Sequence, residues 1–220
     1  PALTPKLIQN RFISSLDTSW VSVGENFTFG TGRSGNFATL EELGQHYHFE
    51  TFKTPLLFHG QERISSSRIR AALALGDLHE AAEMLGRAVA MTGRVVHGAA
   101  LGRQLGFPTL NMFAVPPGSK THPALHGIYA VRVKGLDAIG SVWPGVASIG
   151  NKPTVVSDGR WLLETHVFNW TGNAYGKLIE VEFVEKLRDE KKFSGLPELT
   201  AAISADCERA KAILGVKVQA

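Results

Sequence analysis

Cysteine is almost missing: Cys207 stands alone among 220 residues. That excludes an internal disulfide framework and any metal site built from several thiolates, and it fits a reducing cytosol. No apolar stretch approaches membrane-spanning length and the first residues carry no signal-peptide core, so the expected setting is cytoplasmic, with no membrane partner. Lysine and arginine form no run of five or more. The formal charge of +3 and the pI near 9.1 therefore suit a polyphosphate as well as a nucleic acid, and decide neither. The eight histidines contain no H-E-x-x-H, and His46 and His48, two apart on an expected helix, face differently; they read as surface or packing residues. Internal repeats and low-complexity segments are also lacking. What is present is a 44% apolar chain, enough to bury a good core in one large or two small domains.

Residues 93–111, GRVVHGAALGRQLGFPTLN, combine spaced glycines, a central Arg103 and a proline-locked exit. Gly98, Gly102 and Gly106 recur every fourth residue, and a backbone free of Cβ atoms can fold closely over phosphates. After Pro108 the chain reads as extended, so Thr109 and Asn111 share a face while Leu110 points into the core. A hydroxyl and an amide oxygen are hard donors that suit Mg²⁺ beside nucleotide phosphates, and neither suits zinc. No Gly-Lys-Ser/Thr follows the glycines, so this is not a Walker A loop. On this segment alone, a long glycine-rich hairpin loop explains the residues equally well.

From the start, Leu7, Ile8, Phe12 and Leu16 predict a helix over residues 1–17, and WVSVG predicts a short buried strand. FGTGRSG, with Gly30, Gly32 and Gly35, matches G-x-G-x-x-G with Glu50 beyond it. The dinucleotide fingerprint needs a strand ending at the first glycine and a helix opening at the last, whereas here the next helix is expected after a Thr39 cap with Glu42 completing a capping box. Ser65, Ser66 and Ser67 then open an arginine-bearing helix with Ile69, Leu73 and Leu75 as apolar positions. Its N-terminus, with Arg68 and Arg70, is an anion site by geometry or an ordinary serine cap with solvated arginines. Asp77 to Glu80 is a capping box for a helix burying Leu78, Ala81, Ala82 and Leu85. Past Arg87 the character changes to β-rich runs, and about six strands in a sandwich or barrel are expected, placing a domain boundary near residue 87. Ile179, Val181 and Phe183 should line a dry face, and Leu199, Ile203, Ala210 and Leu214 should pack a last helix on the strands.

Glu164 falls mid-strand in RWLLETHVF, on the face of Leu162, His166 and Phe168. It is a general base near a substrate hydroxyl, an exposed acid, or one neutralised by an arginine. Arg188 and Phe193, in LRDEKKF, pair a cation with a ring against a planar ligand, or form a solvated loop.

In order and spacing, GRVVHGAALGRQLGFPTLN, GIYAV, SIGNKPT, LETHVFNW, YGKLIEVEF and LRDEKKF resemble the riboflavin kinase domain of bacterial bifunctional riboflavin kinase/FAD synthetases, over roughly residues 87–214. The resemblance implies an α+β fold: a six-stranded antiparallel β-barrel with a C-terminal helix over 87–220, preceded over 1–86 by part of a Rossmann-like nucleotidyltransferase domain. It implies phosphoryl transfer from Mg²⁺-bound ATP to the 5′-hydroxyl of riboflavin, giving FMN, with no nucleic acid and no obligatory protein partner. The PTLN run corresponds to the family's Pro-Thr-Ala-Asn, so Thr109 and Asn111 would hold the metal and Glu164 would be the base. Gly98, Gly102, Arg103, Gly106, Phe107 and Pro108 would form a flap over ATP, and Arg188, Glu190 and Phe193 would close on the flavin. Leu110, Val155 and Asn169 depart from the family pattern away from this chemistry. VGENFTFGTGRSG and ISSSRIR resemble later motifs of the FMN adenylyltransferase domain, which makes Ser65, Ser66, Arg68 and Arg70 part of its nucleotide site. The earlier ATP-gripping motif is not in this sequence, so FMN is expected as the product and little FAD. A non-catalytic β-barrel binding flavin, nucleotide or single-stranded nucleic acid is the alternative.

Overall fold

The computed structural model describes residues 16–151 and 161–216. Its packing divides the chain into two compact units, parting after Ile64. In the first, β1 (Trp20–Gly24) and β2 (Glu50–Thr54) pair in parallel from Trp20 opposite Glu50 to Gly24 opposite Thr54, joined through α1 (Phe37–Tyr47). Parallel neighbours require such a crossover, so this is one βαβ step. Phe29, Leu40 and Phe49 form its core, with Val21, Val23 and Leu43 packed against them. The unit also carries a short antiparallel hairpin of β3 (Phe58–His59) and β4 (Glu62–Arg63). The strand WVSVG is half-buried rather than buried: Val21 and Val23 face the core while Trp20 is 61% exposed, because the helix covers one side only. The helix also begins earlier than its sequence suggests. Asn36 is the cap, its side chain accepting from the Thr39 N–H, and Thr39 is the reciprocal partner. Asn binds a free N–H as well as Thr does, so the first competent residue wins. The helix expected over residues 1–17 lies outside the described residues apart from Leu16 and Asp17.

The second unit opens with α2 (Ser66–Leu75), capped by Ser65, and α3 (Leu78–Leu85), capped by Asp77. Ala72 is buried and Leu75 is 82% exposed. Leu75 is six residues beyond Ile69, which leaves it about 120° round the helix from that residue and off its apolar stripe. In α3 the buried set is Leu78, Ala81 and Met84, a three-residue spacing that passes over Ala82 and Leu85.

Six strands follow: β5 (Ala90–Arg94), β6 (Leu110–Phe113), β7 (Gly127–Lys134), β8 (Trp143–Asn151), β9 (Trp161–Val167) and β10 (Leu178–Arg188). They form one antiparallel sheet in the order β5-β10-β7-β8-β9-β6. The sheet closes on itself just past β5, where the Val96 N–H donates to the Asn111 carbonyl at 2.7 Å. Tyr129, Val131, Val133, Ile149, Leu163, Ile179, Val181 and Phe183 fill the interior. On the wet side of β10, Glu180 and Glu182 pair with Lys134 and Arg132 of β7. Between β5 and β6 lies the one-turn helix α4 (Leu101–Gln104). The last helix, α5 (Leu196–Leu214), lays Cys207 and Ala210 over Val146, Phe168 and Leu187, with Ile203 and Leu214 at the margin. Burial pushes the Cys207 thiol up to about 11.

Candidate active site

The outer face of β6 and β9 carries the proposed chemistry. Directly opposed residues share a face, and Leu110, Met112, Leu163 and Thr165 take the inner one. Asn111 and Glu164 therefore stand together outside, paired in register, and Ser148 of β8 flanks Glu164 on its other side. Thr109 precedes β6 on the Asn111 side of the alternation. Asn111 is only 5% exposed, and its Nδ2 donates to the Thr109 carbonyl at 3.4 Å. That contact turns the amide oxygen away from the Thr109 carbonyl. Hydroxyl, amide oxygen and carboxylate form a hard donor set that fits Mg²⁺, and among the described residues no His/Cys/Asp/Glu cluster offers a softer site.

Asn111 is buried by the glycine segment. A Cβ on Gly98 would fall 2.5 Å from Asn111 Cγ and 2.6 Å from Oδ1, so only glycine lets the backbone lie on this amide. Beyond it the segment folds back on itself through a one-turn helix, Leu101–Gln104, carrying Arg103 exposed. The Phe107 N–H then returns to the Gly102 carbonyl at 2.8 Å, and Gly102 packs against the carbonyl of Phe107. Gly106, at φ 86°, makes the turn before Phe107 and Pro108. His166 secures this exit by donating Nδ1–H to the Pro108 carbonyl at 2.8 Å, with the Phe107 ring edge-on at 5.6 Å. At the root, His97 stacks on Tyr175 at 3.8 Å.

Arg188, Glu190 and Phe193 gather at the end of β10. The Arg188 guanidinium lies 5.7 Å from the Phe193 ring, and the Lys191 ammonium lies 4.9 Å from the same ring. The principal partner of Arg188 is Asp206 of α5, which accepts from Nε at 2.9 Å and from Nη2 at 2.6 Å. The Glu190 carboxylate rests against the backbone of Gly150, at the end of β8. Sequence reasoning missed Asp206, Gly150 and His166. Asp206 did leave a signal, an acid on the apolar stripe between Ile203 and Ala210. Lys152 to Thr154 of the SIGNKPT run, and Val155, lie outside the described residues.

At α2, Ser65 Oγ accepts from the Arg68 N–H at 3.3 Å, while the Arg68 guanidinium pairs with Glu80 of α3 at 3.0 Å. Arg68 thus ties two helices together. Ser66 and Arg70 are exposed.

A family model described as riboflavin kinase matches residues 85–214, and one described as FAD synthetase matches residues 3–68. The chain belongs to the bifunctional riboflavin kinase/FAD synthetase family. Among its relatives is the bifunctional riboflavin kinase/FMN adenylyltransferase of Escherichia coli strain K12, 40% identical over 98% of this chain and 67% of that protein. The protein of the same description from Haemophilus influenzae is 38% identical over 96% of this chain and 66% of its own length. The chain thus spans about two thirds of the curated relatives it matches. A crystal structure titled as a macrolide-efflux protein from Streptococcus pneumoniae shares the fold with a TM-score of 0.64 and 28% identity, over 93% of this chain and 64% of that one. The closed six-stranded sheet with its C-terminal helix falls within the span of the riboflavin kinase match. Among the described residues, no helix is long and apolar enough to cross a membrane.

Proposed function

We propose that the barrel transfers the γ-phosphoryl group of ATP to the 5′-hydroxyl of riboflavin, yielding FMN and ADP. The observation that carries this reading is the register pairing of Asn111 with Glu164 beneath a glycine segment seated on Asn111. A binding module needs neither a base nor a cover at that point. Phosphoryl transfer needs an in-line hydroxyl, neutralised phosphate charge and exclusion of water. Glu164 takes the proton of the ribityl alcohol as its oxygen bonds to the γ-phosphorus and the bond to the β-phosphate oxygen breaks. Thr109 and Asn111 would hold Mg²⁺, which would supply charge neutralisation at the phosphates when bound. Residues 98–108, which carry the exposed Arg103, cover the phosphates, and Arg188, Glu190 and Phe193 flank the flavin.

The same reading sets the functional division near residue 87, places the enzyme in the cytoplasm, and gives the intact protein a second step, adenylylation of FMN to FAD. Ser65, Ser66, Arg68 and Arg70 belong to that second site. Incubation of the purified chain with riboflavin and Mg·ATP, followed by chromatographic separation of flavins, tests the first step. FMN is the expected product; a folded chain that leaves riboflavin unchanged overturns the assignment.

A further inference from the structure

Lys186, on β10, reaches out between two glycines. A Cβ on Gly76, the left-handed residue closing α2, would strike the Lys186 Cδ and lie 3.3 Å from its Cβ and Cγ. A Cβ on Gly127, at the start of β7, would lie 3.2 Å from the Lys186 Cε. The stem is walled by backbone on both sides, which leaves the side chain only 17% exposed. Its ammonium ends 2.7 Å from Asp189 Oδ1, and Asp189 is itself 73% exposed. Contact with Lys186 holds the Asp189 carboxyl below the usual range. The backbone of Asp189 is pinned as well, its carbonyl accepting from Arg188 Nη1 at 3.0 Å while Arg188 is clamped on Asp206. The next residue is Glu190, lying against Gly150.

An ion pair with one exposed partner is ordinarily worth little, because two long side chains lose freedom to form it. Here the lysine has lost that freedom already, in its slot between α2 and β7. We infer that Lys186 is a positioning residue for the flavin-side loop: aimed by Gly76 and Gly127, it holds Asp189 and thereby sets where Glu190 stands on Gly150. The helix pair α2–α3, which precedes the barrel in the chain, is then part of the support of the riboflavin site. The inference rests on the assignment of Arg188, Glu190 and Phe193 to the flavin.

Three chains test it: wild type, Lys186→Met, which keeps the stem and loses the charge, and Asp189→Asn at the exposed end. In each variant the KM for riboflavin is expected to rise roughly threefold to fivefold, as the loss of one such pair implies, with the KM for Mg·ATP and kcat unchanged. The double variant should be no worse than the poorer single one, since both remove the same contact. Riboflavin is uncharged, yet its KM in the wild type should rise with salt as the Lys186–Asp189 pair is screened, and in either variant it should not. Lys186→Met alone can lose stability through its slot. Asp189→Asn lies at the surface, keeps the fold, and decides the matter if the two differ. A riboflavin KM unchanged in Asp189→Asn, or KM values for riboflavin and ATP that rise together, overturns the inference and leaves the kinase assignment standing. A wild type that makes no FMN overturns the assignment on which it rests.

Discussion

Two residues of one strand, Glu164 and Thr165, make opposite predictions. Glu164 faces out beside Asn111 and is the proposed general base. Glu164→Gln is nearly isosteric and should leave the unfolding midpoint and flavin binding intact while lowering kcat roughly 10²-fold or more. Turnover near the wild-type level would remove the base role. Thr165 faces in, 1% exposed, and its hydroxyl is a buried polar atom with no hydrogen-bond partner in the described structure. A buried polar group without a partner costs about 1–3 kcal/mol, and valine has the same shape without the hydroxyl. Thr165→Val should therefore raise stability by about 1 kcal/mol in urea unfolding with kcat unchanged. A loss of that size instead would mean that an internal water satisfies the threonine.

Elements were legible where burial is one-sided. In β10 the alternation of Ile179, Val181 and Phe183 with Glu180 and Glu182 foretold both the dry face and the wet one, because a strand has only two. The stripe of α5 was legible for the same reason. Pairing partners were not: alternation fixes the face of Asn111 and of Glu164 but not the register that sets them opposite one another, which depends on chain 53 residues away. Nor was it legible that Val96 would close the sheet, or that Thr39 would yield its cap to Asn36, since both residues satisfy the same rule. The Arg188–Asp206 clamp joins β10 to α5 across 18 residues, and local patterns do not reach that far. Its prediction belongs at this scale. Asp206→Asn leaves a half-buried guanidinium with poorer partners and should destabilise the unit by about 2 kcal/mol, a cost typical of charged hydrogen bonds. Because the clamp also anchors Asp189, riboflavin KM should rise with it. An unchanged midpoint in thermal unfolding would show the clamp to be a surface contact.

At the scale of the molecule, the chain parts after Ile64, so the helix pair packs with the barrel although it precedes the proposed functional boundary. A fragment beginning at Ser65 should unfold in one cooperative transition and phosphorylate riboflavin within about twofold of the full chain, as a self-contained unit would. One beginning at Arg87 loses the wall that Gly76 gives Lys186 and should bind riboflavin more weakly, while its affinity for Mg·ATP is kept. Equal behaviour of the two fragments would argue that the pair is only a tether. The barrel itself carries a seam. Long ladders join every other neighbouring pair of strands, but β5 and β6 meet past the end of β5 at an isolated bridge, Val96 to Asn111, where the glycine segment begins. Under the proposed assignment of the glycine segment to the nucleotide, that bridge is the hinge pin of the cover over Asn111, so the Val96 amide proton should exchange with deuterated water faster than the ladder amides of β10 and should slow when Mg·ATP is bound; exchange that Mg·ATP leaves unchanged would part the seam from the cover.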